Sequence, residues 1–379
     1  MIVRFLLDRL RARMFRGKAL IVLGARQTGK TSLVRQLMAE WADQSVFLNA
    51  DRPEVRRQLT DASVPVLRQL TGNARVVIID EAQRIKNIGL TLKLFTDELP
   101  EVQVVATGSS AFELANEINE PLTGRKWEHF LYPIAWAELE ADTSPLAVRE
   151  QLETRLIYGM YPEVINQAGS EREVLLSLSG SYLYKDVFEF RGVRKPELLG
   201  QLLQALALQL GAEVSYNELS QLLGVDKNTV SNYLDLLEKS YIVFRLMPLS
   251  RNLRNEISSN RKVYFYDNGI RNAVLENFSP LALRQDVGAL WENFLISERW
   301  KINQYFDRHG KRYFWRTKAQ QEIDYIEEAD GQFRAWEFKW NPKASARFST
   351  AFIEAYHPVD TMVVSPDNFE LFLRPVQGG

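Results

Sequence analysis

The chain has 379 residues, 46% of them hydrophobic, with 47 basic side chains against 48 acidic ones and a formal net charge of −1. That length carries two or three domains with buried cores, and the balanced charge excludes a global field for polyanions, so any contact with nucleic acid must come from local patches. The lack of cysteine excludes disulfides and thiolate zinc sites, and three scattered histidines, His129, His309 and His357, argue against a histidine metal cluster.

The N-terminal MIVRFLLDRLRARMFRGK carries arginines through its apolar run and reads as a short amphipathic helix with a basic face, not a signal peptide. No apolar stretch approaches the roughly 20 residues of a membrane span. A cytoplasmic protein without membrane partners is therefore expected.

Residues 18–132 alternate short Val/Ile/Leu-rich runs, at 19–23, 46–48, 76–79 and 102–106, with longer segments of helical spacing. This predicts an α/β fold with a parallel sheet covered on both faces. After the first run comes Gly24-Ala25-Arg26-Gln27-Thr28-Gly29-Lys30-Thr31-Ser32, which matches G-x-x-x-x-G-K-[ST] between a strand and a helix. Glycines let such a loop wrap a polyphosphate, while backbone N–H groups and the helix N-terminus supply partial positive charge. Lys30 adds a full charge near the β- and γ-phosphates of ATP, and Thr31 offers a hydroxyl to Mg2+.

The run VVIIDEAQ ends in Asp80, suited to the magnesium, and Glu81, suited to activating the attacking water. VQVVATGSS ends in Thr107, Ser109 and Ser110, where a polar group can touch the γ-phosphate or the water. Asn49, closing VFLN, is a candidate restraint on Glu81. Arg125, in PLTGRKWEH, is a candidate arginine finger reaching a neighbouring subunit's nucleotide, with Arg84 as competitor; a finger acting in trans requires a homo-oligomer.

Residues 135–210 read as mostly helical. Residues 213–239, EVSYNELSQLLGVDKNTVSNYLDLLEK, read as a helix-turn-helix pivoting at Gly224. Leu219, Leu222, Val225, Val230, Leu234 and Leu237 form its expected core. The second helix offers Lys227, Asn228, Thr229, Ser231 and Asn232 to phosphates and base edges of DNA. The strand-like YIVFRLMPL that follows suggests a winged helix, with Arg245, Arg251, Arg254, Arg261 and Lys262 nearby.

In QQEIDYIEEADGQFRAWEFKW, a turn at Ala329-Asp330-Gly331 folds two strands together, so that Asp324, Glu337 and Lys339 come to one edge. Glu292 lies upstream on a helix within GALWENFLISERW. Carboxylates so grouped can hold magnesium beside a scissile phosphate, with a lysine steadying the charge. Arg308, Lys311, Arg312, Arg316 and Lys318 form an adjacent basic cluster that attracts phosphates.

The ordered set GARQTGKTS, IIDEAQ, ATGSS, LTGR, YGMYPEV, the helix-turn-helix, KVYFYDNGI, WENF, EIDY and EFK spans nearly the whole chain. It resembles a group of bacterial and archaeal ATPases of unassigned function. In them an AAA-type P-loop core is followed by a winged helix and a C-terminal PD-(D/E)xK nuclease-like domain. The resemblance implies an ATPase core at 1–135, a helical linker or lid at 136–205, a winged helix-turn-helix at 206–255 and a small α/β nuclease-like domain at 256–379. It implies that Lys30, Thr31, Asp80 and Glu81 bind and hydrolyse ATP. It also implies that Glu292, Asp324, Glu337 and Lys339 occupy the nuclease-like centre. The function so implied is an ATP-driven protein acting on DNA, with branched DNA a candidate substrate. The alternatives are a nucleotide-switch regulator signalling through the winged helix and an ATP-dependent endonuclease.

Overall fold

A computed structural model describes residues 2–109, 118, 121–180, 195–250, 261–344 and 346–374. The chain forms two compact units, one of Met1–Ile134 with Lys239–Tyr241, the other of Ala135–Glu238 with Ile242–Gly379.

The first unit is a mixed α/β layer around a five-stranded sheet. Strands β1 (Ala19–Leu23), β2 (Ser45–Asn49), β3 (Val76–Asp80), β4 (Gln103–Gly108) and β5 (Lys126–Phe130) stand in the order β2-β3-β4-β1-β5. Every pairing is parallel. The three inner strands are buried along their whole length, whereas β2 is half-buried throughout. This is why ALIVL, VVII and VVA are unbroken apolar runs: helices cover both of their faces. The order inserts β4 between β1 and β3, so the carboxyl ends of these three strands line up as neighbours. Ligands of open α/β sheets bind at such ends.

The second unit begins with helices, among them Trp136–Asp142, Leu152–Tyr158, Glu171–Leu178 and Pro196–Leu208. Its sheet contains β6 (Glu213–Val214), β7 (Val243–Pro248), β8 (Arg261–Phe265), β9 (Lys311–Arg316), β10 (Glu322–Ala329), β11 (Gln332–Phe338) and β12 (Asp360–Val364), ordered β12-β11-β10-β9-β7-β8-β6. The strands that follow the helix-turn-helix are thus continuous with those that carry Asp324 and Glu337. The 19-residue helix Val287–Tyr305 carries thirteen buried residues, from Leu290 through Tyr305.

YGMYPEV and YFYDNGI turn out to be halves of one clasp. Asp267 caps the helix Asn268–Val274 by accepting from the Ile270 N–H at 3.1 Å, and its other oxygen accepts from the Met160 N–H at 2.6 Å. Asn272 donates to the Ile157 carbonyl at 2.8 Å. Gly159 has φ +72°, and a Cβ there would lie 2.1 Å from the Asp267 carboxylate, so only glycine fits.

Candidate functional site

At the end of β1 the loop Gly24–Gly29 leads into the helix Lys30–Ala39, capped by Gly29 in the left-handed region. Gly24 has φ +152°, and a Cβ would meet the Leu131 carbonyl oxygen at 2.1 Å. Close packing on the chain beyond β5 thus fixes where the loop starts. Ala25 and Thr28 are buried, Arg26 is half-buried, and Gln27 and Ser32 are exposed. Lys30 is buried and folds back, its Nζ donating to the Gly24 and Ala25 carbonyls at 2.8 and 2.7 Å.

Thr31 Oγ1 donates to Asp80 Oδ2 at 2.9 Å, which joins the loop to the end of β3. Thr107, on the intervening β4, donates to Asp80 Oδ1 at 2.5 Å and accepts from the Glu81 N–H at 3.2 Å. Glu81 itself has φ +55° and caps a short turn. The oxygens of Thr31 and Asp80 are a hard donor pair suited to a magnesium ion bound beside the phosphate loop. Lys30, Thr31, Asp80, Glu81 and Ser109 therefore converge on one carboxyl-end edge of the sheet.

Two further residues belong to this edge. Gln83 Nε2 donates to Glu81 Oε2 at 2.5 Å and to Ser109 Oγ at 2.9 Å. Asn49 instead turns onto its own loop, accepting from the Asp51 N–H at 2.7 Å. The second addition is Arg4, which is buried and donates to the Thr28 carbonyl at 2.8 Å and the Tyr132 carbonyl at 2.6 Å. One residue of the N-terminal segment thus ties the phosphate loop to the chain beyond β5. Arg125 pairs with Asp97 at 2.7 Å and Arg84 with Asp51 at 2.9 Å. Ser110 lies outside the described residues.

In the second unit, helices Tyr216–Leu223 and Lys227–Lys239 flank Gly224, which takes φ +63°. Asp226 opens the second helix, accepting from the Thr229 N–H and hydroxyl at 2.9 and 2.7 Å. Leu219, Leu223, Val230, Leu234 and Leu237 are buried, whereas Leu222 is 66% exposed. The helix buries positions four apart, 219 and 223, so Leu223 takes the core place expected for Leu222. Lys227, Asn228 and Asn232 are exposed, and Thr229 and Ser231 half-buried. Arg245 pairs internally with Asp235 at 2.7 Å and also with Glu238, and Arg261 stacks over the Tyr216 ring. Arg251 and Arg254 lie outside the described residues. A cavity of about 400 Å³ is lined by Arg245, Trp300, Arg308, His309 and Arg312 among others.

Strand β11 is an interior strand, antiparallel to β10 and parallel to β12. The pairing of Tyr325 with Trp336, carried on by one residue, sets Asp324 opposite Glu337. A bulge in β10 between Ile323 and Ile326 re-aims Asp324, whose Oδ2 accepts from the Phe338 N–H at 2.7 Å. Lys339 Nζ lies 3.0 Å from Glu337 and 3.9 Å from Asp324. Burial, reinforced by the Glu337 charge, raises the Asp324 carboxyl to about 6, and burial also raises Glu337 and Glu292. Glu292 accepts from Tyr264 Oη at 2.6 Å and from Lys262 Nζ at 3.0 Å.

Residues 16–140 match the family model described as AAA domain. Residues 149–281 and 287–374 match two models each described as a domain of unknown function, DUF8612 and DUF4143. An uncharacterized protein of Mycobacterium tuberculosis is 27% identical over 354 residues, 91% of this chain and 76% of that protein. One of Haemophilus influenzae is 24% identical over 276 residues, 66% of this chain and 68% of that protein. The Walker-type ATPase PABY2304 of Pyrococcus abyssi superposes with a TM-score of 0.50 at 16% identity, over 73% of this chain and 96% of that one. The phosphate loop, its neighbouring acidic pair and the parallel sheet agree with these likenesses: residues 16–140 match the AAA domain model and have the fold of a P-loop ATPase core.

Proposed function

We propose that the chain is a magnesium-dependent ATPase that acts on DNA through its second unit. The observation that supports hydrolysis is Glu81 held beside the Thr31–Asp80 pair by Gln83 and Thr107. Magnesium, when bound, would supply charge neutralisation of the β- and γ-phosphates, with Thr31 and Asp80 as its protein oxygens. Lys30 would exchange two carbonyl oxygens for phosphate oxygens, and Glu81 would take the proton of the attacking water. DNA contact rests on the exposed Lys227, Asn228 and Asn232 at the start of a helix-turn-helix. We read the unit around it as a winged helix merged with a nuclease-like sheet. Branched DNA is the candidate substrate, and a homo-oligomer the candidate assembly. Arg125 and Arg84 are the candidates for a cation given to a neighbouring copy, each after leaving its own aspartate.

The test is the ATPase rate measured with and without linear, forked and four-way DNA. Stimulation of several-fold supports this reading, and a rate indifferent to every DNA removes it. Lys227→Glu is expected to weaken DNA binding at all sequences and to lower the salt slope by about one phosphate contact, read by fluorescence anisotropy.

A nucleotide-switch regulator is the second reading, favoured by the Gln83–Glu81 bond, because a carboxylate already accepting a hydrogen bond is a weaker base. Gln83→Ala separates the two. Under the first reading Glu81 loses its orientation, and kcat falls about tenfold while KM for ATP stays within about twofold. A rise in kcat would identify Gln83 as a brake and favour the switch.

A further inference from the structure

A three-carboxylate nuclease centre needs Glu292, Asp324 and Glu337 to offer oxygens to one divalent cation. Among the described residues, no group of three acidic or histidine side chains is arranged to hold a metal ion. The reason is a fourth element, strand β8. Lys262 enters the cluster from β8, its side chain 1% exposed, with Nζ 3.0 Å from Glu292 and 2.6 Å from Glu322. Tyr264, two residues along the same strand, donates to the same Glu292 oxygen at 2.6 Å. The second Glu292 oxygen lies against Gly211, 3.3 Å from where a Cβ would sit. One Glu292 oxygen thus accepts from two donors, and its charge is answered by an ammonium.

We infer that the Lys262 ammonium stands in the place of a divalent cation, so that Glu292 is withdrawn from metal binding and the cluster ties β8 to β10 and the helix Val287–Tyr305 without cutting DNA. The physical grounds are direct. Magnesium demands near-octahedral oxygen ligation at about 2.1 Å, and an ammonium at hydrogen-bond distance from the same oxygen repels it. Moving Lys262 aside would leave a buried ammonium without partners. Lys339 sets a second ammonium 3.0 Å from Glu337. The acidic side chains and the E-x-K spacing remain, but their counter-ion is built into the chain. This inference is independent of whether the second unit binds DNA.

The test uses Mn2+ alone, titrated into the nucleotide-free full chain and followed by electron paramagnetic resonance. Wild type and Asp324→Asn are expected to titrate alike, because the cluster holds no ion. Lys262→Met is expected to gain one Mn2+ site, about 10- to 100-fold tighter than any in wild type, the range by which neighbouring groups shift metal affinity. The added Glu292→Gln should remove that site. A wild-type site that disappears in Asp324→Asn overturns the inference. So does a folded Lys262→Met protein, checked by circular dichroism, that gains nothing. Should Lys262→Met not fold, Lys262→Gln, which keeps a donor toward Glu292, is titrated in the same way and read by the same two outcomes.

Discussion

Lys30→Ala is expected to abolish ATP turnover, with a loss on the order of 10²–10³-fold or more in kcat, as when one preorganised charge donor is removed from a phosphoryl or acyl transfer site. The lysine is a buried cation at the start of the helix that follows the phosphate loop, held against two of the loop's carbonyls. Its removal leaves those carbonyls without their donor and the γ-phosphate without its cation. Glu81→Gln should differ in kind. The amide keeps the shape but cannot accept a proton, so hydrolysis falls by about 10²–10⁴ while ATP remains bound. Single-turnover hydrolysis beside equilibrium binding of a fluorescent ATP analogue distinguishes them. Loss of binding is expected in Lys30→Ala and retained binding in Glu81→Gln. Equal binding in both would remove Lys30 from its assigned place.

Arg299→Ala is expected to destabilise the second unit strongly, because the side chain is buried. The guanidinium donates to both Glu327 oxygens at 2.9 and 2.8 Å and to the Phe372 carbonyl at 2.7 Å. It also lies over the Trp336 and Phe372 rings. Burial alone would raise the Glu327 carboxyl. Arg299, with hydrogen bonds from Asn303 and Tyr325, outweighs it and brings Glu327 down to about 2. Arg308, Arg312 and Arg334 are the other cations around this group. Removing Arg299 strands a buried carboxylate, which costs about 3–5 kcal/mol. Arg299→Lys should recover little, because an ammonium cannot bridge both oxygens. The sign with pH follows from the depressed value. The pair's contribution is complete above the ordinary carboxylate value of 4.5 and is lost as pH falls toward 2. Urea midpoints of wild type and Glu327→Gln should therefore differ most near pH 7 and converge near pH 2. A constant difference across that range would show that the pair carries no linkage.

The parallel sheet was legible because its inner strands are unbroken aliphatic runs and because each long gap between them has helical spacing. The phosphate loop was legible because close backbone approach demands glycine at fixed intervals. What sequence could not reveal depends on partners far along the chain. Arg4 read as one of several arginines on an amphipathic helix, yet it contacts carbonyls 24 and 128 residues away. Lys262 read as one of a basic group near the helix-turn-helix, yet its partners lie 30 residues further at Glu292 and beyond at Glu322. Gln83 had a local signal, two residues from Glu81, but its bond to Ser109 exists only because β3 and β4 are neighbours. The Leu222 and Leu223 exchange shows the ordinary ambiguity of adjacent leucines on a short helix.

The Asp267 clasp bears on how the molecule comes into being. All five strands of the nucleotide-binding sheet lie before residue 131 and can pair as soon as they leave the ribosome. The turn at Gly159 and Met160 must wait until the carboxylate that Met160 bonds, 107 residues after it, has been synthesised. Until then the early helices of the second unit lack that clasp, so a slow-translating stretch just before β8 would lengthen their exposure to chaperones and proteases.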